Sequence, residues 1–95
     1  MIGIKITIQQ DEGMVAGWNR FNIEIKNTRY EDRAIYNKAK LLWSKENQSW
    51  TTSGSSTTPA IELALELQRK MSKIVQAYKL ELTIKDKVGQ DDGSL

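Results

Sequence analysis

Basic and aromatic residues are interspersed from Arg20 to Lys45, and this part of the chain most clearly suggests a chemistry. The stretch holds seven Lys or Arg against three Asp or Glu, with Phe21, Tyr30, Tyr36 and Trp43 among them. Basic side chains hold phosphates and exposed rings stack on unpaired bases, so the pattern predicts a surface for single-stranded nucleic acid. The alternative is that the lysines only keep a strand soluble. The candidate residues are Arg29, Arg33, Tyr36, Lys38 and Lys40.

A second candidate is the stretch of Ser, Thr and Gly at 51–58, which precedes a predicted helix. Free backbone N–H groups and the positive end of the helix dipole favour an anion at such a place. No lysine follows in the Gly-Lys-Ser/Thr order of a phosphate-binding loop, so a plain loop that caps the helix is the preferred interpretation. The candidate anion-binding residues are Ser55, Ser56, Thr57 and Thr58.

The chain contains no histidine and no cysteine. It therefore lacks the commonest general base near neutral pH, the thiolate nucleophile and the usual zinc ligands. Three pairs of acidic residues are sequence neighbours, namely Asp11-Glu12, Glu31-Asp32 and Asp91-Asp92. Neighbours on a strand point to opposite faces, which does not gather carboxylates around a metal ion. We expect a binding protein that is not an enzyme and has no catalytic residue, no metal site and no cofactor.

Length and charge fit one small domain. The chain has 95 residues and a net charge of +2, with 39% hydrophobic and 27% charged residues. No apolar run approaches the roughly 18 residues of a membrane span. We expect a cytoplasmic protein with one α+β domain over residues 1–86, a flexible tail at 87–95, and no membrane partner.

Three stretches alternate between apolar and polar residues with the period of a half-buried strand. They run from Met1 to Gln9, from Phe21 to Lys26, and from Lys79 to Lys85. Trp43 and Trp50 flank a turn at 45–48, which predicts a hairpin with the two indole rings in contact. The stretch 51–58 is expected to be a loop.

One long helix is predicted from Thr58 or Pro59 to about Tyr78. Apolar residues recur there every three or four positions, which places them on one face. Ile61, Leu63 and Leu65 are expected to widen that face in the first two turns, and the Thr58 hydroxyl to cap the helix. The residues of the predicted apolar stripe are Ala60, Ala64, Leu67, Met71, Ile74, Val75 and Tyr78.

Residues 30–44 fit two structures. Thr28-Arg29-Tyr30-Glu31 matches a helix capping box. A helix would, however, bring Glu31 and Lys38 into its apolar arc, whereas a strand separates the apolar from the polar side chains. The strand is preferred, and it would place Tyr36, Lys38 and Lys40 together on a solvent-facing side.

These elements predict an α+β fold in which a small antiparallel sheet of about four or five strands packs on one long helix. Strands form a meander, the helix follows, and a last strand ends the domain. The expected partner is nucleic acid or, as the alternative, a protein that this chain regulates or inhibits. A homodimer is also compatible with the sequence.

One resemblance supports the alternative. Residues 6–16, followed by Ser53-Gly54-Ser55 and by residues 58–64, resemble the strand, acidic turn, strand and capped helix of HicB-type antitoxins. The resemblance covers less than half of the chain. It implies a protein-binding regulator of the antitoxin, phage or mobile-element type.

Overall fold

The computed structural model describes residues 1–11 and 18–86, which form a five-stranded mixed sheet and two helices. This confirms the predicted α+β fold. The predicted tail at 87–95, and residues 12–16 of the stretch that resembles HicB-type antitoxins, lie outside the described residues. The strands are β1 (Ile2–Asp11), β2 (Trp18–Lys26), β3 (Leu42–Ser44), β4 (Ser49–Ser56) and β5 (Tyr78–Asp86). The helices are α1 (Arg33–Lys38), preceded by a 3-10 turn at Tyr30–Asp32, and α2 (Ala60–Ser72).

The strand order is β3-β4-β2-β1-β5, so β1 lies between β2 and β5. Ile4, Ile6 and Ile8 of β1 are almost completely buried. β2 pairs antiparallel with β1 and places Ile23 opposite Ile6, while β5 pairs parallel and places Leu82 opposite Ile6. Isoleucine favours the extended backbone, and its alternation with polar residues leaves one side of the sheet apolar.

The direction of β5 differs from the wholly antiparallel sheet that the sequence predicted. β4 and β5 both run in the direction of β1, with β2 and β1 between them. Parallel strands need a long crossover connection, and α2 provides it by passing over the apolar side. We call that side of the sheet the helix side and the other the open side. α1 lies on the helix side too, because its Tyr36 stacks on Trp50, which is opposite Ile25.

α2 confirms the first four residues of the predicted buried stripe but is shorter than predicted, so Ile74, Val75 and Tyr78 lie beyond its end. Ala60, Ala64, Leu67 and Met71 are buried. The helix begins after Pro59 with no side-chain cap and ends at Ser72, so the capping role predicted for Thr58 is wrong. Ile61 and Leu65 do not widen the buried face, since they are 70% and 53% exposed. Within residues 1–11 and 18–86, no helix is long and apolar enough to cross a membrane.

The strand predicted over residues 30–44 is wrong for most of its length. A 3-10 turn and α1 cover residues 30–38, and only Leu42–Ser44 is extended, as β3. Helical turns bring Tyr36 inward, where it is 2% exposed. Tyr36, which the strand would have placed in solvent, is buried together with Leu41, while Glu31 and Lys38 are exposed.

The end of α1 explains why a helix is stable there. Lys40 has the left-handed φ of 71°, and its N–H donates to the carbonyl of Asn37 at 3.0 Å. The N–H of Leu41 donates to the carbonyl of Tyr36, also at 3.0 Å. This pair of bonds is a Schellman motif, in which an apolar contact between the two ends commonly accompanies the reversal. Tyr36 and Leu41 are both buried in the core.

The loop predicted over 51–58 is also wrong, because residues 49–56 form β4. This strand pairs with β2 over eight residues and with β3 on its other edge. Ser49 is fully buried, and its hydroxyl donates to Oε2 of Glu24 at 3.2 Å. A Cβ at Gly54 would lie 2.8 Å from Cζ of Phe21, so glycine leaves room for that ring on the helix side. β3 reaches only to Thr51, so the ladder with β2 outweighs the turn propensity of serine and glycine in the rest of the strand.

Truncation of the buried face of α2 should strongly destabilise the domain. Leu67→Ala and Met71→Ala remove side chains that are 6% and 1% exposed. Each should lower the free energy of unfolding by about 2–5 kcal/mol, because apolar contacts are lost and a cavity is left. Urea denaturation measures the change. Glu66→Ala is the matched control on an exposed position, and a loss of similar size in that variant would contradict the assignment of the buried face.

Candidate functional site

A cleft lined mainly by aromatic rings and arginines opens where β3 and β4 meet the 3-10 turn. Its volume is about 380 Å³, within the range of small-molecule sites. We call it the aromatic cleft. Its lining residues are Thr28, Arg29, Tyr30, Arg33, Trp43 and Trp50.

Trp50 forms the buried base of the aromatic cleft. It is 7% exposed and lies opposite Ile25 in the sheet. The ring of Tyr36 stacks against it with the centroids 5.5 Å apart and the planes at 25°. Trp43 pairs with Trp50 across the hairpin and contacts it edge to face, with the centroids also 5.5 Å apart and the planes at 61°. The predicted indole contact is therefore confirmed, and the three rings form one rigid row.

Two rings of the cleft remain accessible to solvent. Trp43 is 44% exposed, because among the described strands β3 is the outermost and has a neighbour on one edge only. Tyr30 is 76% exposed. An exposed, rigid ring loses little conformational entropy when another flat group stacks on it. The cleft can therefore take a planar group.

Arg33 belongs to the rim of the cleft. Its guanidinium carbon lies 4.0 Å from the centroid of the Tyr30 ring, and Nη1 donates to the carbonyl of Tyr30 at 3.2 Å. Among the described residues, no carboxylate forms a salt bridge with Arg33. The guanidinium is thus held in place by a ring and a carbonyl while its charge is not compensated by an ion pair.

Arg29 differs from Arg33 in being paired. Its Nε and Nη2 donate to the two carboxylate oxygens of Asp32 at 3.0 and 3.4 Å. This bond raises the pKa of Arg29. The pair fixes the start of the 3-10 turn, so Arg29 shapes the cleft and carries less unbalanced charge than Arg33.

The structure gathers two of the five predicted nucleic-acid residues in the cleft. Arg29 and Arg33 line it, whereas Lys38 and Lys40 are exposed outside it. Tyr36 is buried beneath Trp50 and cannot stack on a ligand. The single solvent-facing strand surface that was to carry Tyr36, Lys38 and Lys40 is therefore wrong, because α1 replaces that strand.

A second depression, the α2 groove, runs between α2 and the sheet. It has a volume of about 550 Å³ and carries three basic side chains against one acidic one. Two of the four predicted anion-binding residues, Ser56 and Thr58, lie in it. Ser55 pairs with Arg20 on the open side, and Thr57 is exposed. The lining residues are Phe21, Ser56, Thr58, Leu63, Glu66, Leu67, Arg69, Lys70 and Lys73.

The hydroxyl groups in the α2 groove are already bonded to one another. Ser56 Oγ donates to Thr58 Oγ1 at 3.0 Å and accepts from the Thr58 N–H at 3.1 Å. The Thr58 carbonyl accepts from Nδ2 of Asn19 at 2.7 Å. These bonds fix the connection between β4 and α2. The predicted four-residue anion loop is therefore divided between two sides of the sheet.

The aromatic cleft and the α2 groove lie on the same side of the sheet. Every second residue of β4 lies opposite a residue of β2 that faces the helix side, from Trp50 opposite Ile25 to Ser56 opposite Asn19. Trp50 belongs to the cleft and Ser56 to the groove. Trp50 and Ser56 are six residue steps apart along β4, which is about 20 Å at the usual rise per residue.

No family model, curated protein or solved structure matches this chain. Among the described residues, no three acidic side chains are close enough together to hold a metal ion. Sequence reasoning selected neither Tyr30 nor Trp43 as a candidate residue. No local signal marks Trp43 as exposed, because its exposure depends on the place of β3 in the strand order.

The buried phenol of Tyr36 should make stability sensitive to alkaline pH. Burial raises its pKa, and the Asp32 carboxylate raises it further. A phenol with a higher pKa in the folded state contributes stability that is complete below the unfolded value of about 10 and is lost as pH rises through the folded value. The free energy of unfolding should therefore fall above about pH 10, and less so in Tyr36→Phe.

Urea denaturation at about pH 8 and about pH 11 measures this difference. Tyr30→Phe is the matched control, because Tyr30 is 76% exposed and its hydroxyl lies outside the core. An alkaline loss of stability that is equal in the parent and in Tyr36→Phe would contradict the burial of this phenol.

Proposed function

We propose that the protein binds single-stranded nucleic acid on the helix side of its sheet. The observation that carries the proposal is the aromatic cleft, in which the exposed rings of Tyr30 and Trp43 lie beside the guanidinium of Arg33. Stacking on rings together with a cationic rim is the general mode of single-strand recognition.

Stacking accounts for the expected preference for single strands. Bases in a duplex cover each other's faces, whereas an unpaired base can turn its face toward a ring. Trp43 is held edge to face against Trp50, so its accessible side is fixed before a ligand arrives. Arg33 already contacts a ring face and can extend the stack or bond a phosphate.

The α2 groove supplies the second part of the surface. Arg69, Lys70 and Lys73 line it with only Glu66 opposing them. A strand whose base occupies the cleft can run along β4 for about 20 Å to these cations. The two basic segments that the sequence separates by more than thirty residues thus serve one ligand.

A protein-binding regulator or inhibitor is the second candidate. Leu42 and Ile35 are 74% and 48% exposed in elements next to the cleft, and the resemblance to HicB-type antitoxins also favours a protein partner. Apolar residues of this kind are typical of protein interfaces. The two functions differ in their dependence on salt, because only phosphate contacts release condensed counterions on binding.

Removal of the exposed indole should weaken single-strand binding selectively. Trp43→Leu keeps an apolar side chain against Trp50 but has no ring face. Affinity for a short unstructured oligonucleotide should fall by about 1–3 kcal/mol, roughly 5- to 150-fold, while weak duplex binding should change little. Fluorescence anisotropy with a labelled oligonucleotide measures both.

Trp18→Leu is the matched control. Trp18 is 37% exposed, a value close to that of Trp43, and its place in β2 puts it on the open side. Equal losses in the two variants, or an affinity of the parent that is the same for single strands and duplex, would contradict the proposal.

Charge should be tested separately from stacking. Arg33→Gln should reduce the slope of log affinity against log salt by about one ion, since one phosphate contact is lost. Lys5→Gln removes an exposed charge from the open side and should leave the slope unchanged. No binding to oligonucleotides at low salt would favour the protein-binding function instead.

A further inference from the structure

β5 forms one edge of the sheet and has features of an interface. It is nine residues long and contains no proline. In the part of the chain that the structure describes, β1 is its only strand neighbour. The backbone groups on its outer edge can therefore pair with another strand, and natural proteins normally protect long regular edges of this kind.

Exposed apolar side chains lie along this edge on the helix side. Leu82 and Ile84 of β5 are 43% and 39% exposed, although their register partners Ile6 and Ile8 are fully buried. Ile61 and Leu65 of α2 are more exposed still.

The exposed apolar residues of α2, Ile61 and Leu65, lie on the flank away from the α2 groove, which is the flank toward β5. The opposite flank, with Glu66 and Lys70, lines the α2 groove together with Phe21 of β2. Ile61 and Leu65 are one helical turn apart and fall about 100–140° from Ala60 around the axis, away from that groove. They therefore extend the apolar strip of β5 onto the helix.

We propose that β5 pairs antiparallel with β5 of a second copy of this chain, about a two-fold axis perpendicular to the sheet. The axis passes midway between the two copies of Thr83, and we call this the axis through Thr83. In this register Leu82 lies opposite Ile84 of the other copy on the helix side. Glu81 lies opposite Lys85 on the open side. Each pair occurs twice because the interface is isologous.

Charge selects this register among those with the same symmetry. An axis through Leu82 would place Lys79 opposite Lys85, and an axis through Glu81 would place the two copies of Glu81 together. Like charges directly opposite each other are destabilising. An axis through Leu80 would also pair opposite charges but would leave Ile84 outside the paired segment. Only the axis through Thr83 combines both charge pairs with both apolar pairs.

The same axis accounts for the exposed flank of α2. A two-fold axis perpendicular to the sheet keeps both copies of α2 on one side, with the flanks that carry Ile61 and Leu65 facing each other. The α2 helix of the other copy would then cover the apolar strip on the helix side. The aromatic clefts lie at β3 and β4, the opposite edge of each sheet, so they remain accessible at the two ends of a ten-stranded sheet. The inference does not depend on what the clefts bind.

The test is a charge exchange followed by sedimentation velocity on the full chain over a range of concentrations. The parent should form a dimer with twice the mass of the 10.8 kDa chain. Glu81→Lys and Lys85→Glu should each raise the dimer dissociation constant by roughly tenfold, because two attractive pairs become repulsive. The double variant restores opposite charges and should return the dissociation constant to that of the parent.

Both charged residues are exposed on the open side, so the exchange leaves the core intact. Lys45→Glu is the matched control, since Lys45 is exposed in the turn between β3 and β4, at the other edge of the sheet, and it should not change the dissociation constant. A parent that stays monomeric up to its solubility limit would overturn the proposal. So would a dimer that is unchanged by both single reversals, or a double variant that fails to recover.

Discussion

The contact of Trp50 with the rings of Tyr36 and Trp43 sets the positions of α1 and β3. Trp50 belongs to β4 and is fixed by its position opposite Ile25, inside the main core. Its stack with Tyr36 holds α1 against the sheet, and its edge-to-face contact with Trp43 orients the short strand β3. Aromatic contacts of this geometry add stability beyond their buried area. Without them neither wall of the aromatic cleft would have a fixed position.

The surfaces on the two flanks of α2 depend on the crossover of this helix from β4 to β5. α2 packs on β1, which lies between β2 and β5, so the two flanks of α2 have different environments. One flank forms a basic groove with β2 and β4, and the other leaves Ile61 and Leu65 beside the outer strand β5. The topology therefore separates a cationic surface from an apolar one on the same side of the sheet. We propose that the first binds nucleic acid and that the second binds a second copy of the chain.

Periodicity predicted the elements whose burial is set by their own residues. β1, β2, β5 and the buried face of α2 follow directly from alternation or from helical spacing. Residues 30–44 and 51–58 could not be predicted in this way, because their structures depend on distant partners: Tyr36 becomes helical by packing on Trp50, and β4 is extended because β2 lies beside it. Local charge selected Arg29 and Arg33 as candidate nucleic-acid-binding residues, and both line the aromatic cleft. The exposure of Trp43 depends on strand order, which no local pattern contains.

The central claim is that single-stranded nucleic acid occupies the aromatic cleft on the helix side. The three tryptophans each give one indole N–H signal in a two-dimensional ¹H–¹⁵N NMR spectrum, and Trp18 lies on the open side. Titration with an unstructured oligonucleotide should shift the Trp43 indole signal and the amides of residues 28–33, while the Trp18 indole signal stays in place. A shift of the Trp18 signal with no change at Trp43 would contradict the account.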